Sequence, residues 1–231
     1  MKNHTTTKVD NVFDEIWALL AIEQLYPGSV DNIYKWESPD WKKGNDSLGI
    51  EVTKAQSKHI GYTYNVMTKY FGTPKNQIPI KLLHNFCGET IFANGKLFGV
   101  SDSNGLVDGN RHIQLLLKHL EIKLRKLNDP HFTVCAQNYL FEFCIGWCAE
   151  HDKLEFAEGI KRVTASYLHT FDKIIVHALD SILCFSPGHG ISVHSVPFKK
   201  LNYLSGLYRN ASTWEKGTLF SDIQKQILNQ K

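Results

Sequence analysis

From Val12 to Leu25 the apolar residues Phe13, Ile16, Trp17 and Leu20 recur at three- and four-residue steps, the spacing of one helical face, and Pro27-Gly28 supplies a stop. The same spacing returns between Asn110 and Asn128, where Ile113, Leu116, Leu117, Leu120, Leu124 and Leu127 form a stripe that Asp129-Pro130 ends. Between these helices the pattern changes. Ile33 to Trp36 and Leu48 to Thr53 read as two strands joined through a polar loop at Lys42 to Asp46. Ser57 to Phe71 reads as helical. Gly72 to Gly109, rich in Gly, Pro and Asn without a sustained period, reads as an insertion. Asn138 to Trp147 is a dense apolar and aromatic run suited to a strand buried on both faces. A helix over Lys153 to Phe171, short strands at Lys173 to Val176 and Ser181 to Phe185, a turn at Ser186 to Gly190 and a terminal helix over Trp214 to Gln230 complete the expectation.

This order predicts an α/β fold with a mixed central sheet flanked by helices. The 231 residues suit a single domain, with its core over 12–147, an insertion at about 55–109 and a C-terminal extension over 148–231. Hydrophobic residues at 42% and charged residues at 21% are ordinary globular usage. No apolar stretch approaches the roughly 20 residues that cross a bilayer, so no membrane partner is expected. Met1 to Asp10 is polar and threonine-rich, unlike a secretory signal. The five cysteines, Cys87, Cys135, Cys144, Cys148 and Cys184, are an odd count that fits reduced thiols and a cytoplasmic location. Cys144 and Cys148 lack the second Cys or His pair that a zinc site requires. A net charge of +3 does not by itself dictate a polyanionic partner.

The chemistry is concentrated in Trp36-Glu37-Ser38-Pro39-Asp40-Trp41 and Gly49-Ile50-Glu51-Val52-Thr53-Lys54. In a strand, alternate residues share a face, so Ile50 and Val52 are expected in the core with Glu51 and Thr53 opposite. Pro39 favours an extended backbone before Asp40, and a short loop brings the two carboxylates together. Hard cations such as Mg²⁺ or Mn²⁺ prefer such oxygen ligands and activate bound water. Glu23 lies three residues after Leu20 and seven after Ile16, at the edge of the buried helical stripe, where a carboxylate needs a partner that a metal site would supply. Each feature has a plainer explanation too. Pro-Asp is a common turn dipeptide, Glu at a strand end is often solvated, and Glu23 near a helix C-terminus can be partly exposed.

A helix bearing Glu, then Pro-Asp, then Gly-Ile-Glu at a strand's end, then a further helix and an apolar strand resembles the PD-(D/E)XK nuclease superfamily over roughly 12–147. The resemblance implies a restriction-endonuclease-like core with a long insertion after the motif strand. It further implies Asp40 and Glu51 as ligands of Mg²⁺ or Mn²⁺, Glu23 as accessory acid and further ligand, and hydrolysis of phosphodiesters, in DNA ahead of RNA. In that family a Lys two residues after the Glu assists the attacking water, but here Thr53 holds that position. Lys54 is one place off, on the face of Ile50 and Val52, and would reach the motif position only through a bulge. Gln114, Lys118 and Lys123 on the helix over 110–128 are alternatives, with Lys118 favoured, and Gln56 is another. The Thr53 departure keeps open a catalytically inactive nucleic-acid- or protein-binding member of the same fold, and a structural acidic cluster is a third reading.

Arg111, His112, Lys118, His119, Lys123, Arg125 and Lys126 make that helix basic, and Arg111, Lys118 and Lys123 are candidates for phosphate contacts. A solvated helix face explains them equally well. Tyr62, Tyr64, Tyr70 and Phe71 could stack on bases, although packing is the commoner role. His189 and His194 flank a Gly-rich turn beside Ser195, but there is no nucleophile elbow, phosphate loop or dinucleotide glycine pattern. A homodimer is left open by the sequence.

Overall fold

Helix α1 (Thr7–Leu25) is apolar over most of its second half, and Ile16, Trp17, Ala18, Leu19, Ala21 and Ile22 are all buried. The structure, a computed structural model, describes residues 7–55, 70, 72–83, 89–101, 109–144, 149–178, 181–195, 201 and 216–228. After α1 come strands β1 (Ile33–Lys35), β2 (Trp41–Lys43) and β3 (Leu48–Lys54). A short 3-10 turn at Lys75–Gln77, helix α2 (Ile80–Leu83) and a hairpin of β4 (Glu89–Ala93) and β5 (Lys96–Ser101) follow. The remaining elements among the described residues are α3 (Gly109–Leu127), β6 (Gln137–Phe143), α4 (Ala149–Thr164), β7 (Lys173–His177), β8 (Ile182–Ser186), β9 (Gly190–His194) and α5 (Phe220–Leu228).

The main sheet has seven strands in the order β1-β2-β3-β6-β7-β8-β9. β3, β6 and β7 run parallel, and the strands towards both edges are antiparallel, so the sheet is mixed and flanked by helices as the sequence predicts. Alternation divides the core in two. Ile33, Trp41, Ile50, Tyr139, Phe141 and Phe143 pack with α1, Phe220 and Ile223 on one face. Leu140, Ile174, Val176 and Leu183 pack with the leucine stripe of α3 and Phe156 and Ile160 of α4 on the other. Among the described residues no helix is long and apolar enough to cross a membrane.

Several boundaries differ from the expectation for physical reasons. β2 occupies the start of the expected Lys42 to Asp46 loop, because Trp41 is a core residue and Lys42 folds its stem inward to pair with Asp46 at 2.7 Å. Part of 72–109 is ordered as the β4–β5 hairpin, whose Asn94-Gly95 turn has φ of 51° and 73°, the left-handed pair that a two-residue hairpin loop requires. α4 stops at Thr164, whose hydroxyl donates back to the Ile160 carbonyl at 2.9 Å, seven residues before the expected end. After the expected turn at Ser186 to Gly190 the chain adds β9 along β8. The helix expected over 57–71 lies outside the described residues except for Tyr70.

Candidate functional site

The β2–β3 register sets Trp41 opposite Ile50, which brings the residue before Trp41 beside the residue after Ile50. Asp40 Oδ2 accepts the Val52 N–H at 2.8 Å, and the Asp40 carbonyl accepts the Trp36 N–H at 2.8 Å, closing a loop whose Ser38–Pro39 peptide is cis. Gly49 explains the close approach. A Cβ there would stand 2.7 Å from Pro39 Cγ and 3.0 Å from Cys135 Sγ, so Pro39-Asp40 and Gly49-Ile50-Glu51 form one packing unit.

Glu51 is 1% exposed. Its Oε1 accepts from Lys123 Nζ at 2.7 Å and Lys126 Nζ at 2.6 Å, both from one side of α3, while the buried Oε2 has no hydrogen-bond partner. On the α1 side Lys54 is ion-paired with Asp14. Glu15 Oε2 accepts from Lys35 Nζ at 2.5 Å and Trp41 Nε1 at 3.1 Å. Asp14, Glu15, Asp40, Glu51, Thr53, Lys54, Lys123 and Lys126 line one cleft of about 310 Å³.

Burial pushes the Asp40 carboxyl up to about 7, the charges of Glu51 and Glu15 add to the rise, and Lys35 and the Val52 N–H oppose it. A second perturbed acid stands behind the cleft. Glu142 of β6 is in register with Thr53, is fully buried, and has no hydrogen bond on either oxygen. Burial raises it to about 8 against the opposing charge of Lys123.

The structure gathers Asp40, Glu51, Thr53 and Lys123 from the residues singled out by sequence. Ile50 is buried and Val52 packs against the same core, so Glu51 and Thr53 share the opposite face as expected. Lys54 lines the cleft without a bulge, because the pairing of β3 with β6 is unbroken from Leu48 to Lys54. Its amine approaches from the α1 side. Glu23 is not brought to Asp40 and Glu51. Its carboxylate accepts the N–H groups of Gly28 at 2.7 Å and Val30 at 3.3 Å, satisfying the loop that leaves α1, and it lines a separate cavity with Asp31 and Phe220. Lys118 is exposed and outside the cleft lining, and Gln114 is exposed. The side chain of Arg111, and Gln56, Tyr62, Tyr64 and Phe71, lie outside the described residues. His194 bonds Ser192 at 2.8 Å on the largely exposed strand β9.

Sequence reasoning passed over Asp14, Glu15 and Glu142, and took Lys126 only as one charge of the basic helix. Asp14 carried the signal used for Glu23, since it stands three residues before Trp17 and seven before Ala21 on the buried stripe. Glu142 was the single charge inside a run otherwise suited to a strand buried on both faces.

Among the described residues no three His, Cys, Asp or Glu side chains are gathered in a way that could hold a metal ion. Two carboxylates nevertheless fit a hard divalent cation that keeps several waters, and the orphaned Glu51 Oε2 is an acceptor in want of a positive partner. No family model matches this chain, and neither a curated protein nor a solved structure matches it.

Proposed function

We propose that this cleft is the centre of a metal-dependent nuclease with a restriction-endonuclease-like core, hydrolysing phosphodiester bonds, in DNA first. The observation that carries the reading is the juxtaposition of Asp40 and Glu51 on one hairpin, with an unpartnered Glu51 oxygen and three lysine amines in the same cleft. Asp40 and Glu51 would hold Mg²⁺ or Mn²⁺, which supplies Lewis-acid polarisation of the phosphate and a bound water of lowered pKa.

The chain's own residues account for the rest. Lys123 and Lys126 neutralise Glu51 in the free protein. A phosphate entering the cleft offers those amines anionic oxygens, and they are the groups that can offset charge developing on a pentavalent phosphorus. Lys54, held by Asp14, reaches the same space from the opposite wall and takes the part that Thr53 cannot, keeping an ammonium beside the attacking water.

The test is an assay of single-stranded DNA, duplex DNA and RNA with Mg²⁺, Mn²⁺ or chelator. Cleavage that needs the cation and disappears in Asp40→Asn and Glu51→Gln is expected, and parental cleavage by these variants would move the site elsewhere. Thr53 and the engagement of Glu51 Oε1 by two lysines favour a second reading, a catalytically inactive binding member of the fold. Cation-independent DNA binding with no cleavage under any condition would select it.

A further inference from the structure

We propose that the indole of Trp36 is a stacking platform for an unpaired nucleotide of the strand that enters the Asp40–Glu51 cleft. This inference deepens the nuclease reading and rests on it for the identity of the strand. Ile33 and Trp41 point into the α1-side core, so Tyr34 and Lys42 stand on the opposite face of the sheet, the face that carries Glu51. Trp36, one residue past β1, joins them there. Its ring lies edge-on to Tyr34 at 5.8 Å and 89°, with Lys42 Nζ 4.2 Å from its centroid.

The link to the cleft is short. Trp36 donates its backbone N–H to the Asp40 carbonyl at 2.8 Å, so the two residues face each other across the hairpin loop. Hydrogen-bonded neighbours of this kind have Cα atoms about 5.5 Å apart. A strand with a phosphate beside Asp40 therefore passes close to Trp36.

The second observation is Lys216. Its Nζ sits 3.7 Å from the Trp36 ring centroid, the residue is exposed, and among the described residues no carboxylate pairs with it. The plainer explanation is a clasp that ties 216–218 to β1. That tie is already made by the backbone, where Gly217 N–H donates to the Lys35 carbonyl at 2.8 Å and Lys35 N–H to the Thr218 carbonyl at 2.9 Å. The tie between 216–218 and β1 thus does not depend on the ammonium over the ring. Lys216 caps the ring in the free chain, and a strand whose phosphate draws this exposed ammonium aside uncovers the ring, so that one group serves the phosphate and one the base. Paired bases keep their faces covered by their neighbours, so the occupant is single-stranded or locally unpaired.

The experiment measures binding of fluorescein-labelled single-stranded and blunt duplex oligonucleotides by anisotropy in chelator, so cleavage plays no part. Trp36→Leu should weaken single-strand binding about ten-fold and leave duplex binding near parental, while Trp36→Phe restores most of the loss. Lys216→Gln should flatten the dependence of log Kd on log salt by about one unit. Parental single-strand affinity in a Trp36→Leu protein of unchanged Tm would overturn the proposal, as would equal losses for both nucleic acids. Should Trp36→Leu fail to fold, the exposed variant Lys216→Glu decides, since parental affinity and slope there overturn it as well. A chain that cuts without needing Asp40 or Glu51 but still loses single-strand binding in Trp36→Leu would sink the nuclease site and spare the platform.

Discussion

Lys123 of α3 donates to Oε1 of Glu51 at 2.7 Å across 72 positions of sequence, and with Lys126 on the same oxygen it offsets a charge that is 1% exposed. Removing one member of a buried ion pair strands the other and costs about 3–5 kcal/mol when nothing else compensates. Lys126 remains in Lys123→Met, so a loss of about 1–3 kcal/mol is expected by denaturant unfolding in chelator. Combining Lys123→Met with Glu51→Gln should recover much of that loss. Additive costs in the double variant would mean that the pair is not coupled.

Asp40 gives the cleft a pH dependence of definite sign. Its carboxyl is raised from 3.8 to about 7 by burial and by the charges of Glu51 and Glu15, so between these values the folded chain binds a proton that the unfolded chain has lost. Stability from this group is complete below about 4 and is lost as pH rises through 7. On the nuclease reading, cation binding requires the ionised form, so the rise in Tm on adding Mn²⁺ should be small at pH 6 and grow towards pH 8. Asp40→Asn should abolish that growth. A cation effect independent of pH, or equal in Asp40→Asn, would remove Asp40 from the ligand set.

What the sequence disclosed depended on how local each determinant is. The leucine stripe of α3 and the alternation of Ile50 and Val52 against Glu51 are set by neighbours in the chain, and both are found as expected. Asp40 and Glu51 were legible because one hairpin holds them both. Glu23 and Asp14 show where local periodicity stops. Both lie at the edge of the buried stripe of α1, and only the tertiary placement of the loop at Gly28 and of Lys54 separates a carboxylate that caps backbone from one that lines the cleft. The pairing of Lys126 with Glu51 was hidden for the same reason. A basic helix face reads alike whether it meets solvent or, as here, a carboxylate from a distant strand.

Glu142 should reveal itself in a stability profile separate from that of Asp40. Its carboxyl is raised from 4.5 to about 8 by burial, with no hydrogen bond to either oxygen, so it favours folding while protonated and opposes it as pH climbs through 8. Glu142→Gln removes the ionisation at nearly constant volume. Relative to the parent, the variant should gain stability between pH 5 and pH 9, on the order of 1 kcal/mol or more, which is roughly 2–4 °C per kcal/mol in a chain of this size. A constant difference across that range would show that Glu142 does not change protonation on folding.

On the nuclease reading, four lysines are candidates for the amine that serves the attacking water. Lys54 follows directly on the Thr53 position, lines the cleft, and is held there by Asp14 in a strand whose register is unbroken. Lys118, favoured from sequence, is exposed and outside the cleft lining, five positions before Lys123 on the helix. Lys123 and Lys126 are turned to Glu51 in the free protein. On the nuclease reading, Lys54→Met should therefore lower kcat by about 10²–10³ with little change in single-strand affinity, the size of effect seen when one group that stabilises developing charge is removed. Lys118→Ala should leave kcat at the parental value. Asp14→Asn loosens Lys54 without deleting it, so it should give an intermediate loss that is largely absent in the Lys54→Met background. Full activity in Lys54→Met together with a collapse in Lys123→Met would transfer the role to the α3 side of the cleft, and loss in Lys118→Ala would require the helix to move before the reaction.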